Sequence, residues 1–256
     1  SRFTTFLKEE RGDKIPAKVM RKIEHHLIDF GVMPSMRALW AAGPAAKADN
    51  TTMYNCSFRN VDSTDAFSEA LYILMCGTGF GFKVTQDTVS KLPVIPDTIL
   101  PSNTQHSVDD SKSGWADSLK FLIENLYNGL DPKITYEKVR PSGARLKTMG
   151  GRASGPEPLV RLHQFVRDTF YNARGRQLST LECHDIMCQI AEIVVVGGVR
   201  RSSEISLSAL DDLLMRHAKD GNFPVKRWMA NNSAVYTKKP SAIEFLAEWS
   251  SLAASG

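Results

Sequence analysis

Apolar residues recur every three to four positions in several stretches, and this spacing predicts amphipathic helices. It occurs at about 17–30, 64–76, 114–128, 156–173 and 180–196. Between these stretches, short runs at about 53–58, 82–84, 134–139 and 204–208 have the alternation typical of strands. Polar or proline-rich segments predict a connector at 44–52 and a long loop at 93–113. Because helices and strands alternate along the chain, the pattern favours an α/β fold.

The composition is that of a globular protein. The chain has 256 residues, of which 42% are hydrophobic and 23% are charged, and this excludes collagen-like, mucin-like and largely disordered chains. The net charge of +4 is too small to indicate a nucleic-acid-binding surface. No apolar run approaches the length of about 18 residues that a membrane span needs, and no signal sequence is visible. We therefore expect a cytoplasmic protein without a membrane or nucleic-acid partner. The chain does not begin with Met, which leaves open that either end is a cut.

Four cysteines, at positions 56, 76, 183 and 188, are too scattered for a structural zinc site, and no metal is expected. Such scattered cysteines favour a reducing compartment. Cys183 and Cys188 lie in a predicted helix and are expected in the core. Taken alone, Cys56 would also be a small buried residue. The adjacent His25 and His26 are expected to be solvated helix residues, because metal ligands on a helix need a spacing of three or four.

Three glycine-rich segments are candidates for ligand binding. The segment 77–81 follows a predicted helix and precedes a strand, the reverse of the order in a dinucleotide-binding fingerprint. Its glycines serve either a tight turn or the close approach of a ligand. The segments 150–155 and 197–203 contain Arg and Ser, which suit an anion, but a plain structural loop is an equal alternative. The hydrolase and P-loop signatures GxSxG, HExxH and Gly-Lys-Ser/Thr are absent.

Taken together in order, seven segments resemble the N-terminal part of an adenosylcobalamin-dependent (class II) ribonucleotide reductase, in particular its monomeric branch. One such loop would be weak evidence, whereas seven in the same order are specific. The segments are GVMPSMRALW at 31–40, NCSF at 55–58, GTGFGF at 77–82, SVDDS at 107–111, RPSGA at 140–144 with GGRASGP at 150–156, GGVRRSS at 197–203 and RWMANNS at 227–233.

The resemblance implies a fold and a reaction. The family folds as a ten-stranded α/β barrel made of two five-stranded halves with parallel strands and helices. Residues 51–256 would supply the first half-barrel, preceded by an N-terminal helical region at 1–50. The reaction replaces the ribose 2′-OH of a ribonucleotide by hydrogen. A thiyl radical, made after homolysis of adenosylcobalamin, takes the 3′-hydrogen, and a cysteine pair then supplies two electrons and becomes a disulfide.

The resemblance also assigns roles to individual residues. By this resemblance, Cys56 matches one member of the reducing pair. A cysteine suits that role, because a thiol can protonate the leaving hydroxyl and then form an S–S bond. The segment 150–155 matches a first specificity loop that senses a deoxynucleotide effector, and 197–203 matches a second loop that connects effector to substrate. The implied substrate-binding residues are Ser35, Asn55, Gly77, Gly79, Gly81, Arg200 and Arg201. The implied effector-binding residues are Asp109, Arg152, Ser154, Gly198 and Arg200.

The chain departs from the family in one respect. The radical-bearing cysteine of the family lies in an Asn-Pro-Cys-Gly-Glu-type segment, and no cysteine of this chain has those neighbours. The second reducing cysteine and most of the cobalamin pocket also belong to the missing part. We therefore expect a chain that is inactive alone and that needs a complementary C-terminal half and a thioredoxin-like reductant. Two alternatives stay open: a reductase with another radical source, and a non-catalytic nucleotide-binding module.

Overall fold

The computed structural model describes residues 2–145, 152–196 and 202–255. The chain begins with four helices: α1 (Arg2–Arg11), α2 (Ala17–Ile28), α3 (Met36–Ala41) and α4 (Pro44–Ala48). The polar connector predicted at 44–52 is wrong in detail, because this segment contains α4 and a 3-10 helix at Asn50–Met53. Its composition explains the error: Pro44 occupies the first turn of a helix that is otherwise rich in alanine, a strong helix former.

Within the described residues, six strands form two parallel sheets. The strands are β1 (Cys56–Asn60), β2 (Gly79–Lys83), β3 (Leu100–Ser107), β4 (Leu130–Thr135), β5 (Glu204–Ala209) and β6 (Ala230–Val235). The larger sheet has the order β1-β2-β5-β6, and β3 pairs with β4 in a separate two-stranded sheet. Every named pair is parallel. The prediction of an α/β fold with parallel strands and helices is confirmed.

Helices connect these strands, as parallel pairing requires. The helices that follow α4 are α5 (Asp65–Met75), α6 (Gln86–Val89), α7 (Lys112–Tyr127), α8 (Glu157–Asn172), α9 (Thr180–Val196), α10 (Leu213–Arg216) and α11 (Ala242–Ser255), with a 3-10 helix at Val225–Met229. The helices predicted at 64–76, 114–128, 156–173 and 180–196 are confirmed with small shifts at their ends. None of the described helices has the length and hydropathy that a bilayer crossing requires.

The core lies between these helices and one face of the larger sheet. Along β2, Phe80 and Phe82 are buried against the helices, whereas Gly79 and Gly81 alternate with them on the other face. These two rings belong to one hydrophobic core with large apolar side chains of the helices, among them Phe67, Leu71, Leu119, Leu122, Phe170, Ile186 and Ile190. The face of the larger sheet that carries Gly79 and Gly81 is therefore not part of this core.

The loop predicted at 93–113 is wrong, because it contains β3. This strand has the sequence LPSNTQHS, and most of its side chains are exposed. A strand in a two-stranded sheet has little apolar surface to bury, so it lacks the hydrophobic alternation on which the prediction depends. Its partner β4 begins at Leu130, ahead of the predicted start at 134, and β2 begins at Gly79 inside the predicted glycine loop.

Candidate functional site

The amino ends of β1 and β2 meet at one edge of the larger sheet. Cys56, the first residue of β1, pairs in register with Gly79, the first residue of β2. The amide of Gly79 donates to the carbonyl of Asn55 at 2.9 Å, and the amide of Phe80 donates to the carbonyl of Ser203 at 2.9 Å. The segment just before β5 therefore reaches the same edge as the cysteine.

Cys56 is exposed, whereas Cys76, Cys183 and Cys188 are buried. Cys56 taken alone is expected to be buried, and this expectation is wrong. The core positions predicted for Cys183 and Cys188 are confirmed. On the same face of the sheet, Phe58 and Ile205 are 55% and 46% exposed. We call this surface, formed by Cys56, Phe58, Gly79, Gly81 and Ile205, the open face. The Cys56 thiol is therefore accessible to a substrate that binds on the open face.

Backbone conformation requires a glycine at position 77 but not at positions 79 and 81. Gly77 has φ +76°, a left-handed conformation that favours glycine, so the turn after α5 explains it. Gly79 and Gly81 are not among the residues with positive φ. A Cβ built on Gly79 would meet its nearest atom, the Asn55 carbonyl oxygen, at 3.4 Å, which is ordinary contact. At Gly81 the nearest atom would be Phe58 Cδ2 at 3.1 Å, on an exposed ring. The tight turn explains Gly77 alone.

Helix α3 brings two further groups to this edge. Ser35 caps α3 by accepting from the amide of Ala38 at 3.0 Å, and its hydroxyl lies 3.4 Å from the carbonyl oxygen of Met53. Arg37 Nη2 donates to the carbonyl of Gly77, a contact that sequence reasoning missed. The predicted substrate residues Ser35, Asn55, Gly77, Gly79 and Gly81 thus lie around the start of β1 and β2. Arg200 and Arg201, with Gly198, lie outside the described residues.

A partly buried polar cluster, which sequence reasoning also missed, lies behind this edge. Asp49 Oδ2 accepts from Lys112 Nζ at 2.6 Å, from Tyr72 at 2.9 Å and from the Cys76 thiol at 3.0 Å. Lys112 Nζ also lies 3.1 Å from Cys76 Sγ. We call these four residues the Asp49 cluster. Tyr72 and Cys76 lie one helical turn apart at the C-terminal end of α5, but Asp49 comes from the segment before β1 and Lys112 from the start of α7. No spacing rule joins these three parts of the chain.

Burial and hydrogen bonding shift the pKa values of this cluster. Burial alone would raise the pKa of Asp49, but hydrogen bonds from Lys112, Cys76 and Tyr72 outweigh it and hold the pKa below its ordinary value. Burial, with the hydrogen bond to Asp49, raises the pKa of the Cys76 thiol to about 11 and that of Tyr72 to about 12. Cys76 is therefore protonated near neutral pH, so it is not an activated nucleophile.

Asp109, one of the predicted effector residues, lies just beyond the carboxyl end of β3. Asp109 follows β3 and pairs with Lys138 at 3.0 Å. The adjacent Asp110 pairs with Arg140 at 2.7 Å, which joins the loop after β3 to the loop after β4. Carboxyl ends of parallel strands are where α/β proteins commonly bind ligands. Helix α7 also begins here, capped by Ser111, which accepts from the amide of Gly114 at 2.9 Å.

A short ribbon continues this loop cluster. The amide of Gly143 donates to the carbonyl of Ala153 at 2.8 Å, and Arg145 forms an antiparallel bridge with Arg152. Arg152 Nη1 donates to the carbonyl of Gly143 at 3.0 Å. Ser154 donates to the carbonyl of Gly155 at 3.2 Å and leads to the start of α8. Residues 146–151 between the two arms, which include Gly150 and Gly151, lie outside the described residues. The predicted effector residues Asp109, Arg152 and Ser154 thus belong to one group of loops.

Several titratable groups lie beneath the sheet, away from the open face. Glu204 is buried, its carboxylate oxygens have no hydrogen-bond partner among the described residues, and burial raises its pKa well above the ordinary value. His184 Nε2 lies 3.1 Å from Asn232 Oδ1, and its ring is close to Cys188 Sγ. Burial raises the pKa of the Cys188 thiol. Because His184 and Cys188 are fully buried, this Cys-His-Asn arrangement is a core network without access for a substrate.

One group of three potential metal ligands occurs among the described residues, at the exposed end of α2. His25 Nε2 and His26 Nδ1 lie 3.3 Å and 3.5 Å from Asp29 Oδ2. The amide of Gly31 donates to the other carboxylate oxygen at 2.9 Å. A carboxylate between two imidazoles accounts for these contacts without an ion. The prediction that no metal is bound stays a prediction.

Comparisons with known proteins agree with the resemblance seen in the sequence. No family model matches the chain. An adenosylcobalamin-dependent ribonucleoside-triphosphate reductase of Euglena gracilis is 29% identical over 224 residues, which cover 83% of this chain and 30% of that protein. The reductases of the same name from Lactobacillus helveticus and Lactobacillus leichmannii are 25% and 26% identical, each over 80% of this chain and 36% of its own length.

A solved structure shares the fold. The crystal structure of a B12-dependent (class II) ribonucleotide reductase superposes with a TM-score of 0.75 at 22% identity, covering 91% of this chain and 41% of that one. The chain is thus similar in sequence and in fold to class II ribonucleotide reductases, and the predicted resemblance is confirmed. It spans about a third of the length of the curated relatives it matches.

Proposed function

We propose that this chain is the N-terminal part of an adenosylcobalamin-dependent ribonucleotide reductase and that Cys56 is one of its two reducing cysteines. One observation carries the proposal. The Cys56 thiol is exposed on the open face, in register with Gly79, a glycine that the backbone and its neighbours do not require. A thiol beside a position without a side chain leaves room for a sugar. The names of the relatives make a ribonucleoside triphosphate the proposed substrate.

The proposed chemistry of Cys56 balances with a second thiol. Two thiols and a ribose C–OH yield a C–H bond, a disulfide and water, with the thiols supplying both electrons and the protons. Cys56 would give its proton to the leaving 2′-hydroxyl. Cys76, Cys183 and Cys188 are buried, which supports the proposal that the second thiol and the radical-bearing cysteine belong to another part of the longer protein. A thioredoxin-like reductant would then restore the pair.

We further propose that the larger sheet belongs to the first half of a ten-stranded barrel. Strands β1 and β6 are the outer strands of the described sheet and are thus open to further pairing. The open face is uncovered, and α11 exposes Ile243, Phe245, Leu246, Trp249 and Leu252. Apolar surface of this extent supports a complementary C-terminal half as the partner.

The loops after β3 and β4 are the proposed effector site. Lys138, Arg140, Arg145 and Arg152 supply positive charge, which suits the phosphates of a deoxynucleotide. Asp109 and Asp110 hold two of these cations in place and join the two loops. In the proposal, Arg152 and Ser154 contact the effector, and Gly198 with Arg200 in the segment 197–203 connects it to the substrate.

The described residues do not form a pocket for adenosylcobalamin. The open face is bounded by the sheet on one side only, as the exposure of Phe58 and Ile205 indicates. Clefts of about 430 and 340 Å³ lie among the N-terminal helices, and their walls combine charged side chains such as Arg2 and Arg21 with apolar ones such as Phe6 and Met20. We therefore assign the corrin mostly to the remainder of the longer protein, and no step at Cys56 is derived through it.

The test is Cys56→Ser in the enzyme completed by its C-terminal part. We expect turnover with a thiol reductant to be lost, because a hydroxyl cannot form the disulfide, while binding of dATP and dTTP survives. The matched control is Cys183→Ala, which removes a buried cysteine and should retain turnover. Full activity in Cys56→Ser would remove the role assigned to this residue. Nucleotide binding without turnover in the completed wild-type enzyme would favour the nucleotide-binding module instead.

A further inference from the structure

The Asp49 cluster lies between the loop before α7 and the start of β1. Lys112 is the first residue of α7 and directly follows Ser111, the cap of the helix. Its ammonium bonds Asp49 Oδ2 at 2.6 Å, approaches Cys76 Sγ at 3.1 Å and lies 5.5 Å from the centre of the Tyr72 ring. Side-chain exposure is 32% for Lys112 and 15% for Asp49, so this ion pair is less screened than one at the surface.

Hydrogen bonds continue from this cluster to the strand that carries Cys56. Asp49 Oδ1 accepts from the amide of Thr51 at 3.0 Å. Thr78 Oγ1 then lies 3.0 Å from the carbonyl oxygens of both Thr51 and Tyr54, so it spans the approach to β1. The next residue, Asn55, accepts from the amide of Gly79. The placement of Cys56 relative to Gly79 thus depends on groups that Asp49 holds.

The same cluster also contacts the turn that precedes β2. Cys76 precedes Gly77, whose carbonyl accepts from Arg37. Because Lys112 contacts both Asp49 and Cys76, one ammonium group ties the approach to β1 to the turn before β2. A partly buried ion pair of this kind adds little net stability, and we expect it to favour one geometry, because removal of either partner leaves an uncompensated charge.

We propose that Lys112 is a positioning residue for Cys56: its ammonium holds the approach to β1 and the Gly77 turn in one arrangement and connects it to the loop that caps α7. The importance of this placement for turnover rests on the proposed function of Cys56. The placement itself does not, because it is a property of the chain alone. Lys112 does not touch the substrate position and acts through Asp49 and Cys76.

The test measures the rate at which iodoacetamide alkylates Cys56 in the chain, followed by peptide mass spectrometry. We expect Lys112→Met to increase this rate at least threefold, because the approach to β1 loses its anchor, and Lys112→Arg to restore much of the wild-type rate. Lys120→Met is the matched control, since Lys120 lies on the same helix and pairs with Asp65 at 2.7 Å at the surface. It should leave the Cys56 rate unchanged.

The buried Cys183 and Cys188 serve as internal controls. If Lys112→Met acts only by loosening the whole fold, both will become reactive together with Cys56, and the proposal fails. It also fails if the Cys56 rate in Lys112→Met equals that of Lys120→Met. Should Lys112→Met not fold, Asp49→Asn is measured instead against the same criteria. Because no turnover is measured, these outcomes are independent of the Cys56→Ser test.

A second arm adds dATP or dTTP. We expect bound nucleotide to change the Cys56 rate in the wild type and not in Lys112→Met, with binding retained in both. A nucleotide effect that persists in Lys112→Met would overturn the connection to the loop before α7. A wild-type chain that binds neither nucleotide would contradict the proposed effector site, and the nucleotide-free rates would still decide the positioning role.

Discussion

The two faces of the larger sheet are built from the same strands but are covered differently. On the covered face, Phe80 and Phe82 of β2 pack against helices, and Glu204 of β5 is buried beside them. On the open face, the alternate residues of β2 are Gly79 and Gly81. Because side chains alternate along a strand, a single five-residue segment supplies both surfaces. In β2, large side chains build the hydrophobic core on the covered face, and glycines leave space for binding on the open face.

This comparison separates stability from function. Substitutions on the covered face should change the free energy of unfolding and reach the site only indirectly. Substitutions on the open face should leave unfolding almost unchanged and alter binding or reactivity. Three substitutions test that division, in decreasing order of their expected effect on stability.

Phe82→Ala should have the largest effect. The side chain is fully buried, so its removal leaves a cavity and should lower the free energy of unfolding by about 3–5 kcal/mol. The matched control is Phe58→Ala on the open face, where the ring is 55% exposed and the expected loss is about 0.5 kcal/mol. Urea unfolding followed by far-UV circular dichroism measures both. Equal losses would show that the two faces do not differ as described.

Glu204→Gln should change how stability depends on pH. The folded-state pKa of Glu204 is raised. Its contribution to the free energy of unfolding is therefore fully present below the unfolded pKa of about 4.3 and is lost as pH rises toward the folded pKa. As pH rises from the unfolded pKa toward the raised folded pKa, the wild type should therefore lose stability that Glu204→Gln does not lose. The exposed Glu137→Gln is the control. Parallel pH profiles for wild type and Glu204→Gln would contradict a neutral buried acid.

Gly79→Ala should change stability least and binding most. The added Cβ meets only ordinary contacts, so the free energy of unfolding should stay within about 0.5 kcal/mol of the wild type. We expect ribonucleotide binding by the completed enzyme to weaken about tenfold, or about 1.4 kcal/mol, because the methyl group occupies sugar space. Gly77→Ala is the contrast, since a left-handed φ of +76° costs about 1–2 kcal/mol for a residue with a Cβ. Unchanged binding in Gly79→Ala would show that this glycine is not part of a substrate site.

Much of the fold could be predicted from the sequence where helices bury an apolar stripe. α5, α8 and α9 have that pattern, and their bounds agree with the prediction. β3 could not be found, because a polar strand in a two-stranded sheet has no periodic signal. For a related reason, the sequence predicts a loop at the glycine-rich start of β2. Gly79 and Gly81 are poor strand formers, and only pairing with β1 and β5 makes them extended.

The candidate site was predictable only where residues are close in sequence or match the family. The sequence predicts Asn55, Cys56 and the glycines at 77, 79 and 81 as site residues, and the structure brings them to one edge, while their role stays a prediction. Arg37 and the Asp49 cluster were not, because their contacts join positions far apart in the chain. Neither composition nor spacing encodes that Lys112 meets Asp49. Such contacts are a product of the packing of α7 against α5.

The parallel arrangement of the larger sheet has a consequence for how the chain folds. β1 pairs with β2 across a single intervening helix, whereas β2 pairs with β5 across residues 84–203, nearly half of the chain. A contact between distant segments closes a long loop and so costs chain entropy. Such contacts tend to form late, which slows folding. We expect β5 and β6 to dock after a compact intermediate built on β1, α5 and β2. The strand bearing the thiol would then be in place before the segment ending at Ser203 arrives beside it.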